Sequence, residues 1–299
     1  MKIDGKEIEV SHPDKIYYPD DYTKMEIVEY YKKIASVMIP HLRSRPLTML
    51  RYPDGIEGKN FFQKDAPDYF PDWISYEKLK KKEGGKVRYV LGNDKATLVY
   101  LANQGCLTPH IWLSKVEKPN HPDKLIFDLD PSDNDFSKVK FAAKTIKEFF
   151  ENELKTSTFV MTTGSSGLHV VIPIKPELDF EQVLELSQDI AAYIEKQHPE
   201  KLTTAARKEK RGNKIYLDVM RNAYGQTSVA PYSLRAKPKA PVATPLEWEE
   251  VAQLKSSQKY TLSSIFKRLA QKEDPWKDMY KQAVSIKKIK TEFEKLKKE

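Results

Sequence analysis

Alternation of apolar and polar positions predicts mixed helix and strand structure in the first third of the chain. Residues 1–10 alternate as a short strand does, and residues 25–42 place apolar side chains at helical spacing after Thr23, a residue type that favours helix N-caps. Short apolar runs separated by Gly, Pro and Asp residues then predict strand or edge segments, at 47–53, 60–64, 87–93 and 96–104.

The pattern becomes more regular in the middle of the chain. Residues 124–130 form an apolar run typical of a buried strand, and residues 136–154 and 179–197 are predicted as amphipathic helices. Between these helices, two β-rich runs flank a turn at 164–167, which predicts a hairpin, and residues 214–221 predict a further strand. This order predicts a sheet with helices packed on one face, the general build of an RNA-recognition-motif-like core.

The last part of the chain differs in composition. A Pro-rich stretch covers 236–245, a short helix is predicted at 246–254, and a Lys-rich amphipathic tail begins at Pro275. For a chain of 299 residues without internal repeats, we expect one large domain or two closely joined lobes.

Composition narrows the class of protein without identifying its function. Apolar residues make up 39% and charged residues 31%, a mixture typical of a folded globular chain. The 51 Lys and Arg residues against 43 Asp and Glu give a net charge of +8. Such a charge would attract a polyanion, although a Lys-rich solvated surface gives the same total.

Two further features predict a cytoplasmic protein. Cys106 is the only cysteine, which excludes an intrachain disulfide and a zinc site built on thiolates, as expected in a reducing cytosol. The first ten residues lack the apolar core of a secretory signal, and no run of about eighteen apolar residues occurs. No membrane segment is therefore expected.

Carboxylates at two strand ends are candidate metal ligands. Asp128 and Asp130 are separated by one residue at the end of an apolar strand, so both side chains are expected on the same face. Adjacent carboxylates repel each other unless a cation neutralises them, and oxygen ligands favour Mg²⁺ or Mn²⁺. Asp218 lies between Leu217 and Val219 in a predicted strand, where a metal shared with the first two acids would offset its desolvation.

Other interpretations of the acids compete with a metal site. An Asp-x-Asp pair at a strand end is often a capping or turn feature, and a lone strand Asp also has common structural explanations. A phosphatase of the haloacid-dehalogenase type would use the first Asp as nucleophile and requires Gly-Thr after the second. Here Pro131 and Ser132 follow Asp130, which argues against that class.

A small-residue turn and several polar side chains are candidates for phosphate binding. The segment TTGSSGLHVV at 162–171 contains a turn whose N–H groups and hydroxyls can approach phosphate oxygens, with His169 on the adjoining strand. Arg221, Gln226 and Arg235 add donors suited to phosphate and sugar contacts. Taken singly, each of these residues has a structural explanation, since Gly-Ser turns join many hairpins.

Three motifs, in this order, resemble a known family. FDLDPS at 127–132, TTGSSGLHVVIPI at 162–174 and YLDVMRNAYGQTSVAPYSLRAKPKAPVATPLEW at 216–248 closely resemble the polymerase domain of bacterial ligase D and its stand-alone relatives, members of the archaeo-eukaryotic primase superfamily. The resemblance implies an α+β primase-polymerase fold, with an RRM-like catalytic sheet and helices plus an N-terminal mixed α/β lobe. It implies one domain over 1–299, with a lobe at about 1–115, a catalytic core at about 116–250 and a helical tail at about 251–299.

The resemblance also implies roles for individual residues. Asp128, Asp130 and Asp218 would be the catalytic acids and would bind two divalent ions, Mn²⁺ or Mg²⁺, so that a primer 3′-hydroxyl attacks the α-phosphate of an incoming nucleotide. The nucleotide-binding positions would be Phe62, His110, Thr163, Ser165, Ser166, His169, Gln226 and Arg235. The DNA-binding positions would be Lys15, Lys24, Arg51, Phe61, Arg211 and Arg221.

Several contacts are implied more specifically. Phe62 would stack on the incoming base and Phe61 on the template strand, and two adjacent Phe residues cannot both be buried on one strand face. Lys15 and Lys24 would hold the 5′-phosphate at the downstream side of a gap, and Arg211 would act at the primer terminus or in end pairing. Ser166 is a departure, because the family turn often carries a basic residue at that place.

The implied function is a DNA-end-joining polymerase that adds NTPs, in preference to dNTPs, at gaps and broken ends with a downstream 5′-phosphate. A Ku-like end binder and a DNA ligase are the implied partners, since the chain shows neither a ligase nor a nuclease motif, and a nucleoid-associated prokaryotic protein is expected. Two alternatives stay open: a de novo primase with the same three acids, and a non-catalytic DNA-end binding module whose acids are structural.

Overall fold

The computed structural model of the protein describes residues 1–19, 22–81, 84–131, 133 and 135–298. Its helices are α1 (Lys24–Leu42), α2 (Lys95–Asn103), α3 (Phe136–Glu148), α4 (Phe180–Gln197), α5 (Trp248–Ala252), α6 (Ile265–Gln271) and α7 (Ile286–Leu296). Its strands are β1 (Lys2–Ile3), β2 (Lys6–Glu7), β3 (Ile16–Tyr18), β4 (Tyr22–Thr23), β5 (Leu47–Arg51), β6 (Phe61–Gln63), β7 (Tyr76–Lys80), β8 (Lys86–Val90), β9 (Cys106–Trp112), β10 (Lys124–Leu129), β11 (Phe159–Thr162), β12 (Leu168–Lys175), β13 (Leu202–Thr203), β14 (Ile215–Tyr216), β15 (Thr227–Val229), β16 (Thr244–Leu246) and β17 (Val284–Ser285). A π-helical turn at Phe149–Glu153 follows α3, and 3-10 turns lie at Lys208–Lys210, Met220–Asn222 and Met279–Gln282. Among the described residues, none of the helices has the length and apolar character that a membrane span needs.

The chain divides into two compact units that interleave along the sequence. Unit 1 contains Met1–Glu117, Thr227–Thr244 and Tyr260–Gln271, and unit 2 contains Lys118–Gln226, Pro245–Lys259 and Lys272–Glu299. The predicted division of a single domain into three consecutive parts stays a prediction.

Unit 1 combines helices with a four-stranded antiparallel sheet in the order β15-β9-β5-β6. Helix α1 begins where the sequence predicts it, at a capping box in which the side chain of Thr23 accepts the N–H of Glu26 and that of Glu26 accepts the N–H of Thr23. One face of α1 is buried, and its apolar side chains share a single core with those of α2, β5 and β9.

The segment 96–104, predicted as a strand, is helical, and the strand prediction is wrong there. The Oδ1 atom of Asp94 accepts the N–H of Thr97 at 2.8 Å, and the hydroxyl of Thr97 donates to Oδ2 at 3.0 Å, which makes Asp94 an N-cap. Seven of the residues of α2 are buried, among them Val99 and Leu101. A helix buried on nearly all sides has no polar stripe, so its apolar run is indistinguishable from that of a buried strand.

Unit 2 is built on a sheet in the order β10-β12-β11-β16, in which β10 and β11 are antiparallel to β12 and β17 is parallel to β12. The strand predicted at 124–130, the hairpin and the helices α3 and α4 are all present. The strand predicted at 214–221 is much shorter, because only Ile215–Tyr216 pairs as a strand before the chain enters a 3-10 turn at Met220–Asn222.

Candidate active site

Asp128 and Asp218 lie side by side at the edge of strand β10. The N–H of Asp128 donates to the carbonyl of Asp218 at 2.8 Å, and the two residues form an isolated antiparallel bridge, here called the acid bridge. Asp128 is buried, with 6% of its surface exposed, and Asp218 is half-buried. Asp130, the first residue after β10, is exposed. The fold thus joins two of the three predicted acids through their backbones.

The side chain of Asn222 completes the edge of β10 next to the acid bridge. Its Oδ1 accepts the N–H of Ile126 at 2.9 Å, and its Nδ2 donates to the carbonyls of Ile126 at 2.9 Å and Val219 at 2.8 Å. A primary amide offers the same donor and acceptor as a peptide group. The Asn222 amide therefore takes the place of a neighbouring strand, two residues along β10 from Asp128.

Two nitrogen groups contact the carboxylate of Asp128. Nε2 of His169 lies 3.2 Å from Oδ1, and Nε of Arg221 lies 3.0 Å from Oδ2. Burial acts to raise the pKa of Asp128, but His169 and Arg221 outweigh burial and hold that pKa well below its usual value. The pKa of Asp218 is raised, chiefly by burial and further by the charge of Asp128. The repulsion between the two carboxylates therefore contributes to the raised pKa of Asp218, while the pKa of Asp128 stays low.

The donor set of this site suits a hard divalent cation. Carboxylate oxygens are the ligands that Mg²⁺ and Mn²⁺ prefer, and a cation would relieve the repulsion within the acid bridge. In the present arrangement His169 and Arg221 contact both oxygens of Asp128, and within the described ranges no three His, Cys, Asp or Glu side chains are grouped as metal ligands. A metal ion would therefore have to share the carboxylate of Asp128 with these two groups or displace one of them.

The Gly-Ser turn, residues 163–167 between β11 and β12, lies against the end of β10. The hydroxyl of Ser166 donates to Oδ1 of Asp130 at 2.6 Å. Thr163 closes the turn, because its N–H donates to the carbonyl of Gly167 at 3.0 Å and its Oγ1 accepts the N–H of Gly167 at 3.1 Å. A Cβ on Gly167 would lie 1.9 Å from the last carbonyl oxygen of β10, so only glycine fits there.

In unit 1, Phe61 and Phe62 both stand exposed on strand β6, at 44% and 61% of their surfaces. The guanidinium carbon of Arg51 lies 5.5 Å from the ring centroid of Phe61, and the ring of Phe62 meets that of His110 edge-on at 5.5 Å. Arg51 is itself buried, and its Nη1 donates to Oε1 of Gln63 at 2.7 Å. Arg51 is therefore buried although the ring that it contacts is exposed.

Lys15 and Lys24 are each held by oxygens of unit 1. Nζ of Lys15 lies 2.8 Å from Oδ1 of Asp54, and Nζ of Lys24 donates to the carbonyl and the hydroxyl of Ser11 at 2.6 and 2.8 Å. Burial, followed by the charge of Lys15, lowers the pKa of Lys24 to about 8. The two ammonium groups are thus close enough to repel each other, an arrangement that a bound anion would stabilise.

The remaining candidates are distributed over both units. In unit 2, the guanidinium carbon of Arg211 lies 4.1 Å from the ring centroid of Tyr216, Ser165 is half-buried and Gln226 is exposed. In unit 1, Arg235 is half-buried. Their assignments to nucleotide or DNA stay predictions.

Comparison with known proteins identifies the family. The family model described as LigD, primase-polymerase domain, matches residues 23–276 of the chain. The chain belongs to this family. The matched range includes the acid bridge, Asp130 and the Gly-Ser turn, whereas Lys15 lies outside it. The family and the primase-polymerase fold predicted from the sequence are thereby confirmed.

Several LigD proteins and one solved LigD domain are similar to the chain. The bifunctional non-homologous end joining protein LigD of Bacillus subtilis is 31% identical over 271 residues, which cover 90% of this chain and 43% of that protein. The multifunctional LigD of Mycolicibacterium smegmatis is 30% identical, over 82% of this chain and 32% of that protein. The solved polymerase domain from Mycobacterium tuberculosis ligase D in complex with DNA has a TM-score of 0.85 and 26% identity, covering 93% of this chain and 99% of that domain. The chain thus spans less than half of either LigD protein but nearly all of the solved domain.

Three residues that sequence reasoning missed also build this LigD-type site. Besides Asn222, Ser257 donates its hydroxyl to the carbonyl of Gly167 at 2.7 Å, and Nε2 of Gln258 donates to the carbonyl of Ser165 at 2.9 Å. Asn222 stands within a motif of the family and could have been noticed there as a buried amide next to an acid. Ser257 and Gln258 carry no such signal, because a side-chain hydrogen bond to a distant turn leaves no periodic pattern.

Proposed function

We propose that this chain is a DNA-end-joining polymerase that adds nucleotides, preferably NTPs, to a primer 3′-hydroxyl at gaps and broken ends. The observation that carries the proposal is the acid bridge beside the Gly-Ser turn, in a chain of the LigD primase-polymerase family. DNA as substrate is supported by the M. tuberculosis relative, a polymerase domain solved in complex with DNA.

Asp128, Asp130 and Asp218 would hold two Mn²⁺ or Mg²⁺ ions. When bound, such ions stabilise charge on the transferring phosphoryl group and make the attacking hydroxyl more acidic. The chain's own contribution is to keep the carboxylates in place: the backbone bridge fixes Asp128 against Asp218, and Arg221 pairs with the charge of Asp128.

The Gly-Ser turn and His169 would bind the triphosphate of the incoming nucleotide. His169 is 3% exposed, its Nε2 contacts Asp128, and its Nδ1 has no hydrogen-bond partner among the described residues. That nitrogen is itself buried, so a nucleotide would have to displace neighbouring side chains to reach it. Ser165 and Ser166 would supply hydroxyl and backbone donors, with Thr163 holding the turn closed.

Residues of unit 1 would contact the base and the DNA. Phe62 would stack on the incoming base and Phe61 on the template, since base stacking on exposed rings contributes about 1–3 kcal/mol per base and tolerates any sequence. His110 touches Phe62 and would orient its ring, and Arg51 would do the same for Phe61.

The remaining candidates would contact phosphates or sugar. Lys15 and Lys24 would bind a downstream 5′-phosphate. The negative charge of that phosphate would offset the repulsion between the two ammonium groups. Arg211 would lie near the primer terminus, while Gln226 and Arg235 would contact the nucleotide. A Ku-like end binder and a DNA ligase are the proposed partners, because the relatives are end-joining proteins.

Primer extension on a gapped duplex tests the proposal. The assay compares NTP with dNTP, Mn²⁺ with Mg²⁺, and substrates with and without the downstream 5′-phosphate. We expect incorporation by the wild type, more with NTPs and with the 5′-phosphate, and none by Asp128→Ala or Asp218→Ala proteins that still bind DNA ends. No incorporation by the wild type under any of these conditions would refute the polymerase.

The same reagents distinguish the two alternatives. Dinucleotide synthesis on unprimed single strands, with no effect of the 5′-phosphate, would favour a de novo primase. End binding by the wild type and by both Asp variants, without incorporation by any of them, would favour a non-catalytic module.

A further inference from the structure

A segment far from the Gly-Ser turn in sequence holds that turn in place. The hydroxyl of Ser257 donates to the carbonyl of Gly167 at 2.7 Å and lies 3.3 Å from Oγ1 of Thr163. Nε2 of Gln258 donates to the carbonyl of Ser165 at 2.9 Å. Both residues follow helix α5 and belong to unit 2, as the turn does.

The carbonyl of Gly167 accepts hydrogen bonds from two hydroxyls. Ser257 donates to it at 2.7 Å and Thr163 at 3.2 Å, and the two hydroxyl oxygens lie 3.3 Å apart. Oγ1 of Thr163 also accepts the N–H of Gly167 at 3.1 Å and that of Ser165 at 3.4 Å. Ser257 is 1% exposed and Thr163 6% exposed, so water competes little for these bonds.

The turn is consequently held on two sides. On one side, the hydroxyl of Ser166 donates to Asp130 at 2.6 Å. On the other side, Ser257 and Gln258 hold two carbonyls of the turn. The contact with Asp130 links the turn to a candidate metal ligand, whereas the contacts with Ser257 and Gln258 link it to a segment that has no such role.

We propose that Ser257 and Gln258 are positioning residues, which set the location of the Gly-Ser turn relative to Asp130 so that the turn receives the triphosphate of a nucleotide. The inference rests on the proposed function, because the polymerase reaction supplies the nucleotide. Small displacements of the residues that hold a ligand are costly for binding and alignment. Removal of one of these hydrogen bonds should raise the KM for the nucleotide roughly threefold to tenfold and change kcat less.

Variants at Gln258 distinguish a positioning role of its side chain from a packing role. Gln258→Glu keeps the size of the side chain but cannot donate to the carbonyl of Ser165, and Gln258→Ala removes both size and donor. Gln253→Ala, at an exposed glutamine that directly follows α5, is the matched control. Ser257→Ala removes the buried hydroxyl, with Ser263→Ala as the exposed control.

Three measurements are made on every variant. Steady-state primer extension gives KM and kcat for the nucleotide, and titration of a fluorescent NTP without primer gives its Kd. Thermal unfolding shows whether each variant is folded. If Ser257→Ala fails to fold, the half-buried Gln258 carries the test alone.

The expected result is a raised KM and Kd for both Gln258 variants and for Ser257→Ala, with both controls unchanged. If Gln258→Glu and Gln258→Ala bind nucleotide as tightly as the wild type does, the positioning role is overturned while the proposed function stands. A wild type that neither binds nor incorporates nucleotide overturns the proposed function and this inference with it.

Discussion

Replacement of Asn222 by alanine tests whether a single side chain holds the acid bridge in place. In the native protein the amide of Asn222 accepts the N–H of Ile126 and donates to its carbonyl, both at 2.9 Å. Asn222 is fully buried, so the alanine variant leaves both backbone groups of Ile126 without a partner in the interior. The carbonyl of Val219 keeps a donor, because the backbone N–H of residue 222 bonds to it at 3.0 Å.

The expected loss of stability follows from the unpaired N–H and carbonyl of Ile126. A buried polar group left unpaired costs about 1–3 kcal/mol, so the pair at Ile126 costs about 2–6 kcal/mol. Water entering the space left by the amide would recover part of this, which gives an expected loss of about 2–4 kcal/mol in the free energy of unfolding. A domain of ordinary stability, roughly 5–15 kcal/mol, would still fold.

Urea unfolding followed by circular dichroism and tryptophan fluorescence measures the loss. Asn213→Ala is the control, because Asn213 is exposed in unit 2 and should change stability by less than about 0.5 kcal/mol. Asn222→Asp keeps an acceptor for the N–H of Ile126 but turns an oxygen towards two carbonyls, so it should be no more stable than the alanine variant. An Asn222→Ala protein as stable as Asn213→Ala would refute the role of the amide as a substitute strand.

Three further outcomes are expected. Gly167→Ala should disrupt unit 2, since its Cβ would lie 1.9 Å from a backbone oxygen. The Cβ of Gly212→Ala meets nothing within 4 Å, so that variant should lose only the roughly 1–2 kcal/mol that alanine costs at a φ of +53°. Circular dichroism of both proteins decides this, and equal stability would contradict it. Cys106 is 2% exposed, and burial raises its pKa to about 12. Ellman's reagent at about pH 8 should therefore label only the denatured protein. Rapid labelling of the native protein would show that the thiol is accessible. Lys24 is charged below its pKa of about 8, so preference for 5′-phosphate over 5′-hydroxyl ends should fall between about pH 7 and pH 9 in gel-shift titrations. Lys24→Arg should keep the preference, and a wild-type preference independent of pH would exclude Lys24 from the phosphate site.

Elements with a clear period could be predicted from the sequence. Helices α1 and α4 each expose one face and begin at a capping box, at Thr23 and Asp179, so both periodicity and end signals were present. The hairpin of β11 and β12 was marked by its small-residue turn. Local signals sufficed because the cause of each of these elements lies within its own residues.

Elements determined by distant partners could not be predicted in this way. Helix α2 is buried on nearly all sides, so its sequence has no polar face. Strand β9 lies between β5 and β15 and contains Pro109, which usually argues against a central strand. Its pairing partners lie far away in sequence, and only the assembled sheet assigns it.

The candidate site likewise has residues that the sequence predicts and residues that it does not. Its acids and its turn are recognisable because their residue types suit metal and phosphate binding, and their order along the chain resembles that of a family, which adds their roles. The contacts that hold them are side-chain bonds of Asn222, Ser257 and Gln258 to backbone groups elsewhere. Such bonds depend on which loops meet in space, and no composition or spacing encodes that.

The acid bridge shows why the contacts that the sequence does not predict matter for function. Reasoning from the sequence placed Asp218 in a strand, whose backbone ladder would have fixed it through several hydrogen bonds. In the structure the N–H of Asp128 bonds to the carbonyl of Asp218 across an isolated bridge, and the next position along β10 is occupied by the amide of Asn222. Because an isolated bridge is easier to break than a ladder of several bonds, the spacing of the two carboxylates depends on Asn222. The side chain that would secure the proposed metal site therefore has its amide bonded to backbone groups of the chain itself.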